Sequence, residues 1–217
     1  MSSDVRQRKT HPIPTMRNTS IGMIAVQVLS VVMIATATAQ DKAPDPLPFV
    51  RDFKPERYLG KWYEVARLPT AIQPAETLAV AEYTAGKEGG QVTVKNTAFD
   101  KTGKKLSEIA GQAKLADGDP PGRLLVSFGP VLPEIPNYHV IHVDENYRYA
   151  VVGVPGRKSL WILAREVPIA EESLNSLREI AQKAGFDVTK LLVAPWDKIQ
   201  KAEQDGAGPP ASRPVSK

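Results

Sequence analysis

Cysteine is absent from all 217 residues. No disulfide, thiolate nucleophile or cysteine metal ligand is available, so stability must come from packing and backbone pairing, even in an oxidising compartment. Histidine is scarce: His11, His139 and His142 are the three. Residues three apart on a regular strand face opposite sides, so His139 and His142 are not expected to share a metal. There is no G-x-S-x-G elbow, no H-E-x-x-H and no glycine-rich phosphate loop opening a helix, which removes the usual hydrolase, metalloprotease and nucleotide-binding signatures. A strong charge of one sign is missing too. The net charge is +4, but Arg6, Arg8, Lys9 and Arg17 sit near the N-terminus against a single acid, Asp4. The remainder is nearly neutral, and nucleic acid is a poor partner for it.

Long apolar runs are confined to one place, Ile21 to Ala37, behind those basic residues. Ala37-Thr38-Ala39 then has the small-x-small form of a signal-peptidase site, so residues 1–39 read as a signal peptide and the mature chain as starting at Gln40. Met16 is an alternative start. An uncleaved anchor is the competing reading, since the run approaches the ~20 residues that span a bilayer; Gln27, Ser30, Thr36 and Thr38 within it favour cleavage. Residues 40–52 read as a Pro-rich linker, of which 40–47, rich in Pro, Asp and Ala, is a stiff spacer with little to bury, while Phe49 and Phe53 begin the apolar packing. Residues 53–196 read as the folded domain, and the polar, Pro/Gly-rich residues 197–217 as a disordered tail.

Within the domain, Leu59 to Pro69 alternates with period two, putting Trp62, Glu64 and Ala66 on one face and Tyr63, Val65 and Arg67 on the other. Pro55-Glu56-Arg57-Tyr58 can form one helical turn before Gly60, closing the floor of the structure. Further alternating segments follow: Thr77 to Ala85, Gln91 to Phe99, Leu106 to Leu115, Arg123 to Phe128, Asn137 to Val143, Arg148 to Val154 and Ser159 to Glu166. Gly, Pro and Asp separate them, as short antiparallel connections require. Eight strands with no helix between them predict an all-β, up-and-down antiparallel meander, and closure into a barrel removes both exposed edges. Ala170 to Ala184 carries Leu174, Leu177, Ala181 and Ala184 at helical spacing. It predicts one C-terminal α-helix packed outside the barrel, with Ala170 a poor cap and Gly185 a natural stop. Val188 to Val193 is expected as a short ninth strand.

Three ordered stretches carry a family resemblance. Gly60-Lys61-Trp62 followed by Tyr63-Glu64, then Asp144-Glu145-Asn146-Tyr147 running into Arg148 to Val152, then Leu160-Trp161-Ile162-Leu163-Ala164-Arg165, resemble the three lipocalin signatures. With Gly185 to Lys190 after the helix, the chain is most similar to the bacterial outer-membrane and apolipoprotein D-like subgroup, over about residues 53 to 196. The resemblance implies an eight-stranded calyx with a small apolar or amphiphilic ligand inside, a fatty acid or lysophospholipid, held by a non-catalytic carrier of the cell envelope. It implies an exported protein, periplasmic or secreted, and leaves open peripheral contact with the outer membrane and a homodimer. The lipid-anchor cysteine of many bacterial lipocalins has no counterpart here. Gly60, Trp62 and Arg165 match the structural signature, with the Arg165 guanidinium packed across the Trp62 indole and capping carbonyls at the chain's entry.

With Trp62 as the inward reference, the same resemblance places Glu64, Ala66, Ala81, Tyr83, Val94, Asn96, Tyr138, Val140, His142, Trp161 and Leu163 on the calyx wall; Ile109, Leu125 and Val126 are looser candidates. This mix of small, aromatic and a few polar residues suits an apolar molecule with a polar head, oriented by Tyr138, His142 or Asn96. No cofactor, metal or catalytic residue is assigned. Glu64, if inward, must be paired or protonated, because an isolated buried carboxylate is costly; Tyr83, His142 or an arginine are the candidate partners. The alternatives are a tetrapyrrole or other pigment carrier using His142, an enzyme using Glu64 and Tyr83 for acid/base work, and a protein-binding module acting through the Pro74 loop.

Overall fold

The computed structural model describes residues 46–71, 73–86, 90–115 and 120–197. The signal-peptide and tail assignments fall outside these residues, apart from Asp197. α1 (Pro55–Tyr58) leads into β1 (Gly60–Arg67). The meander then runs through β2 (Leu78–Ala85), β3 (Gln91–Phe99), β4 (Lys105–Leu115), β5 (Arg123–Ser127), β6 (Tyr138–Val143), β7 (Tyr149–Gly153) and β8 (Leu160–Ala164). α2 (Glu171–Lys183), a 3-10 turn and β9 (Leu192–Val193) complete it. From β1 to β8 each strand pairs antiparallel with its sequence neighbour, and β1 joins β8 on one side and β2 on the other. The sheet therefore closes as an eight-stranded barrel, with β9 as an extra strand on β1.

Alternation along the strands separates two apolar clusters. Trp62, Tyr83, Val94, Ala113, Leu124, Val140, Ala150, Val152 and Leu163 face inward with Phe53, Tyr58 and Tyr147. Val65, Leu78, Val80, Val151, Leu160, Ile162 and Ala164 face outward, and Leu174, Leu177, Ala181 and Phe186 of the α2 region cover them. Burial of that stripe is what fixes the helix to the wall, since each fully buried Leu or Phe gains ~1.5–3 kcal/mol. As expected from Ala170, α2 starts with no side-chain cap.

The register shifts at three places, one of them between Ala98 and Phe99 of β3 opposite β4, and two of the shifts move predicted site residues. In β1 the register against β8 shifts between Glu64 and Ala66, so that Val65 and Ala66 together oppose Ile162. In β6 it shifts between Val140 and His142, so that Ile141 and His142 together oppose Val151. Ile162 and Val151 belong to the outer cluster, and so does Ala66. Beyond each bulge, strict period-two counting assigns the wrong face.

Two further expectations are corrected. Val188–Lys190 forms a 3-10 turn, capped by the Asp187 carboxylate accepting from the Thr189 N–H, so β9 is only Leu192–Val193. Leu47, in the stretch expected to bury little, is buried in the outer cluster, and Phe49, where packing was expected to begin, meets His139 edge-on at 5.8 Å. Two large apolar side chains between the prolines find surface to cover.

Candidate functional site

The closed end of the barrel is built on Gly60, whose φ of +92° suits a residue without Cβ and whose Cα lies close under Arg165. One turn earlier, Pro55 opens α1 at a position that needs no N–H. The turn's Tyr58 carbonyl accepts from the Trp62 indole N–H at 2.8 Å. Arg165 lies across the indole at 3.9 Å and donates to the carbonyls of Tyr147, Lys61 and Arg57 at 3.2, 2.9 and 2.8 Å. The anticipated guanidinium on the floor tryptophan is therefore present, joining three chain segments.

Above Trp62 the rings rise in layers. Tyr58 lies 4.7 Å from Trp62 and 5.1 Å from Tyr83. The Tyr58 and Tyr83 hydroxyls each lie within hydrogen-bond distance of the Tyr138 hydroxyl, at 3.1 and 3.2 Å. Burial pushes all three phenols above their ordinary pKa, so they are neutral hydroxyls at pH 7.

Over this floor opens a cavity of about 340 Å³. Eight of the sequence-derived residues line it: Glu64, Ala81, Tyr83, Val94, Asn96, Tyr138, Trp161 and Leu163. Ile109 and Val126 join them, whereas Leu125 does not. Val140 is buried in the inner cluster without reaching the cavity wall. Ala66 and His142 are corrected: both stand on the outer face, carried there by the bulges. The same bulge puts His142 and His139 on one side of β6, because His139 pairs with Gly153, whose Cα faces Phe186 of the outer cluster. Among the described residues, no three His, Cys, Asp or Glu side chains could hold a metal ion. Burial lowers the His142 pKa, against a smaller raising pull from Asp144.

The bulge in β1 also settles the fate of Glu64. It turns Arg67 inward, buried at 2% exposure, with its Nε 3.1 Å from Glu64 Oε1. Gln73 Nε2 donates to the same oxygen at 3.0 Å. Arg67 then fastens the β1–β2 connection, donating to the carbonyls of Leu68, Gln73 and Pro74. Of the partners foreseen for Glu64, the arginine is the one used. Burial outweighs both partners and raises the Glu64 pKa to about 7. Glu64 also borders a second, more polar hollow of about 400 Å³, shared with Arg67, Glu76 and Lys101.

Sequence reasoning missed Arg67 and, on the cavity wall, Thr70, Gln73, Ala79, Thr97, Ala98, Ser107, Phe128, Asn137, Val152 and Val154. Ala79 and Ala98 were recoverable, since they continue the parity of Ala81 and Asn96. The loop residues Thr70 and Gln73 carry no periodic signal. Asn96 Oδ1 and Thr70 Oγ1 are buried without a hydrogen-bond partner among the described residues, and both residues line the cavity. Among the described residues that line the cavity, Glu64 is the one with an ionisable acidic or basic side chain.

A lipocalin-like domain family model matches residues 53–196. Among curated proteins, the chain is 35% identical to outer membrane lipoprotein Blc of Vibrio cholerae, over 69% of this chain and 86% of that protein. It is 37% identical to temperature-induced lipocalin-1 of Arabidopsis thaliana, over 67% and 81%. Mouse apolipoprotein D is 28% identical over 73% and 87%. Among solved structures, insecticyanin of the tobacco hornworm Manduca sexta superposes with a TM-score of 0.54 at 18% identity, over 70% of this chain and 85% of that one. The closed barrel, the arginine-capped tryptophan at its floor and these matches agree: the chain belongs to the lipocalin family.

Proposed function

We propose that this protein is a non-catalytic carrier of a single-chain amphiphile, a fatty acid or lysophospholipid, exported to the periplasm or secreted and serving the cell envelope without a lipid-anchor cysteine. Membership of the lipocalin family implies a small hydrophobic ligand. The observation that carries the finer reading is the 340 Å³ cavity, walled by Ala79, Ala81, Val94, Val152, Trp161 and Leu163. At a water's ~30 Å³ share of liquid volume, it holds roughly a dozen groups of that size. That is room for one acyl chain rather than two, and each buried methylene contributes ~0.8 kcal/mol.

The pigment reading loses its proposed ligand, since His142 stands outside the cavity. The enzymatic reading lacks a relay: Glu64 is held by Arg67 and Gln73, while Tyr83 is held by Tyr138. Delipidated protein is expected to bind a fluorescent fatty acid and to release it to lysophospholipid or unlabelled fatty acid. The quenching on binding should vanish in Trp161→Phe, because Trp161 is the tryptophan on the cavity wall. Failure of both lipids to compete would refute the reading.

A further inference from the structure

Half of the one carboxylate on the calyx wall is unused. Glu64 Oε1 takes both contacts of that side chain, the Arg67 Nε at 3.1 Å and the Gln73 amide at 3.0 Å. Oε2 has no hydrogen-bond partner among the described residues, although Glu64 is only 5% exposed. Two more acceptors on the cavity wall are idle. Asn96 Oδ1 and Thr70 Oγ1 are likewise buried without a partner among the described residues. The register brings the three to one side of the calyx. Trp62 pairs with Ala81 and Ala81 with Asn96, so Glu64, two residues on from Trp62, and Asn96 flank the inward alanines 79 and 81 of β2. Those methyls are too short to separate them. Thr70 comes in from the β1–β2 connection, bridged to the same Gln73 that holds Glu64. Acceptors left buried and unmade are costly, and no lysine, arginine or histidine among the described residues lines the cavity to serve them.

We infer that this wall is the seat of a primary ammonium: the calyx takes a single-chain amphiphile whose cationic head donates to Glu64 Oε2, Asn96 Oδ1 and Thr70 Oγ1, its chain lying on Val152, Trp161 and Leu163 across the cavity. The inference rests on the carrier reading and narrows the head group of its ligand. An ammonium brings three N–H donors and no acceptor, the complement of three idle acceptors. Charge argues the same way. Arg67 gives its other N–H groups to the carbonyls of Leu68, Gln73 and Pro74, and burial leaves Glu64 titrating at about 7. A second cation on Oε2 restores full ionisation. A carboxylate head meets no such partner and enters only with a proton on itself or on Glu64. Few titratable groups face Glu64. They are Arg67 on β1, Glu76 of the β1–β2 connection and Lys101 of the β3–β4 turn, which share the side hollow with it, and the neutral phenols of Tyr83 and Tyr138 across the calyx. β8 presents only Trp161 and Leu163, and beyond β9 the Trp196 indole donates to the Glu64 carbonyl.

The test titrates delipidated full-length protein with decylamine and with decanol, its neutral counterpart, read by calorimetry and by displacement of the fluorescent fatty acid. At pH 8.5 decylamine is still an ammonium and should bind about tenfold or more tighter than decanol, the gain of a charge-assisted hydrogen bond. From pH 6 to 8.5 its affinity should rise about tenfold as Glu64 ionises, while that of decanol stays level. At pH 7, buffers of different ionisation enthalpy should reveal about half a proton released per amine bound. Equal affinity for amine and alcohol, or a flat amine profile, overturns the inference. Glu64→Gln should abolish the pH dependence and most of the preference, and an unchanged profile in that variant overturns the assignment to Glu64. Should the variant not fold, Asn96→Leu decides: the amine should lose about five- to tenfold more affinity than the alcohol, and equal losses overturn the proposal. An ethanolamine-headed lysophospholipid carries the same ammonium. If lysophosphatidylethanolamine follows the pH profile of decylamine, the source is a lipid head; a profile confined to decylamine makes it a free amine. If the fluorescent fatty acid binds and decylamine displaces it no better than decanol, the ammonium site fails and the carrier reading stands. If neither fatty acid, amine nor alcohol binds, the carrier reading fails and the inference with it.

Discussion

Glu64 is where one residue controls two properties, because it belongs both to the cavity wall and to the latch that holds the β1–β2 connection. Its pKa is near 7 in the folded chain against 4.5 for a free side chain, so the folded state holds a proton that the unfolded state releases between those values. Its contribution to stability is complete below pH 4.5 and is lost as pH rises through 7. Replacing Glu64 by Gln removes the titration while keeping an oxygen for Arg67. The melting temperature of Glu64→Gln is therefore expected to vary less than the wild type's between pH 4.5 and 7.5, and parallel curves would refute the assignment. At the floor, Arg165 holds three carbonyls and one ring with a planar fork that lysine lacks. Arg165→Lys is expected to cost about 1.5–3 kcal/mol in urea unfolding, despite the unchanged charge.

At the scale of the element, the expected strands and the helix are all present, because turn residues and periodicity are local signals. The helix offers two checks. Ala170 leaves the first N–H groups of α2 without a side-chain acceptor. Ala170→Ser should therefore raise stability by about 0.5–1 kcal/mol, read as a higher urea midpoint with an unchanged slope. Leu177, buried where α2 meets the barrel, should lose about 2–4 kcal/mol on truncation to alanine. What the sequence hid were the bulges. Nothing in Tyr63-Glu64-Val65-Ala66-Arg67 marks one extra residue, since all five side chains are compatible with either face. The insertion is decided across the barrel, where Val65 and Ala66 share Ile162. A single hidden residue therefore exchanged Ala66 for Arg67 on the inner wall, and a second removed His142 from it. The stretches without a bulge kept their parity, which is why Ala81, Tyr83, Val94 and Asn96 were placed inward from periodicity and the family pattern. The latch escaped for a different reason: Gln73 lies on a connection, and its role exists only because β1 turns Arg67 toward it.

For the whole molecule, the central question is whether the hollow is a working space or merely tolerated. A protein interior is normally packed to the density of an organic crystal, and a dry void forfeits dispersion contacts on every side of its wall. A cavity of about 340 Å³ is thus a cost that the closed ladder and the two apolar clusters have to offset. Filling it should relieve that cost and remove the ligand together. Ala81 is well placed for this: it faces inward between Trp62 and Asn96 in the ladder, and its small side chain borders open volume. In a packed core, Ala81→Phe would force off-rotamer side chains at about 1–3 kcal/mol. Beside an empty cavity the new ring has room and should leave the melting temperature at or above the wild-type value. The same ring occupies the path of a bound chain. Displacing roughly three methylenes at ~0.8 kcal/mol each should weaken fluorescent fatty-acid binding by more than tenfold. Stability retained with binding lost marks the hollow as the ligand's place. A variant that loses stability and keeps its affinity would mean that the space is structural and the ligand is bound elsewhere.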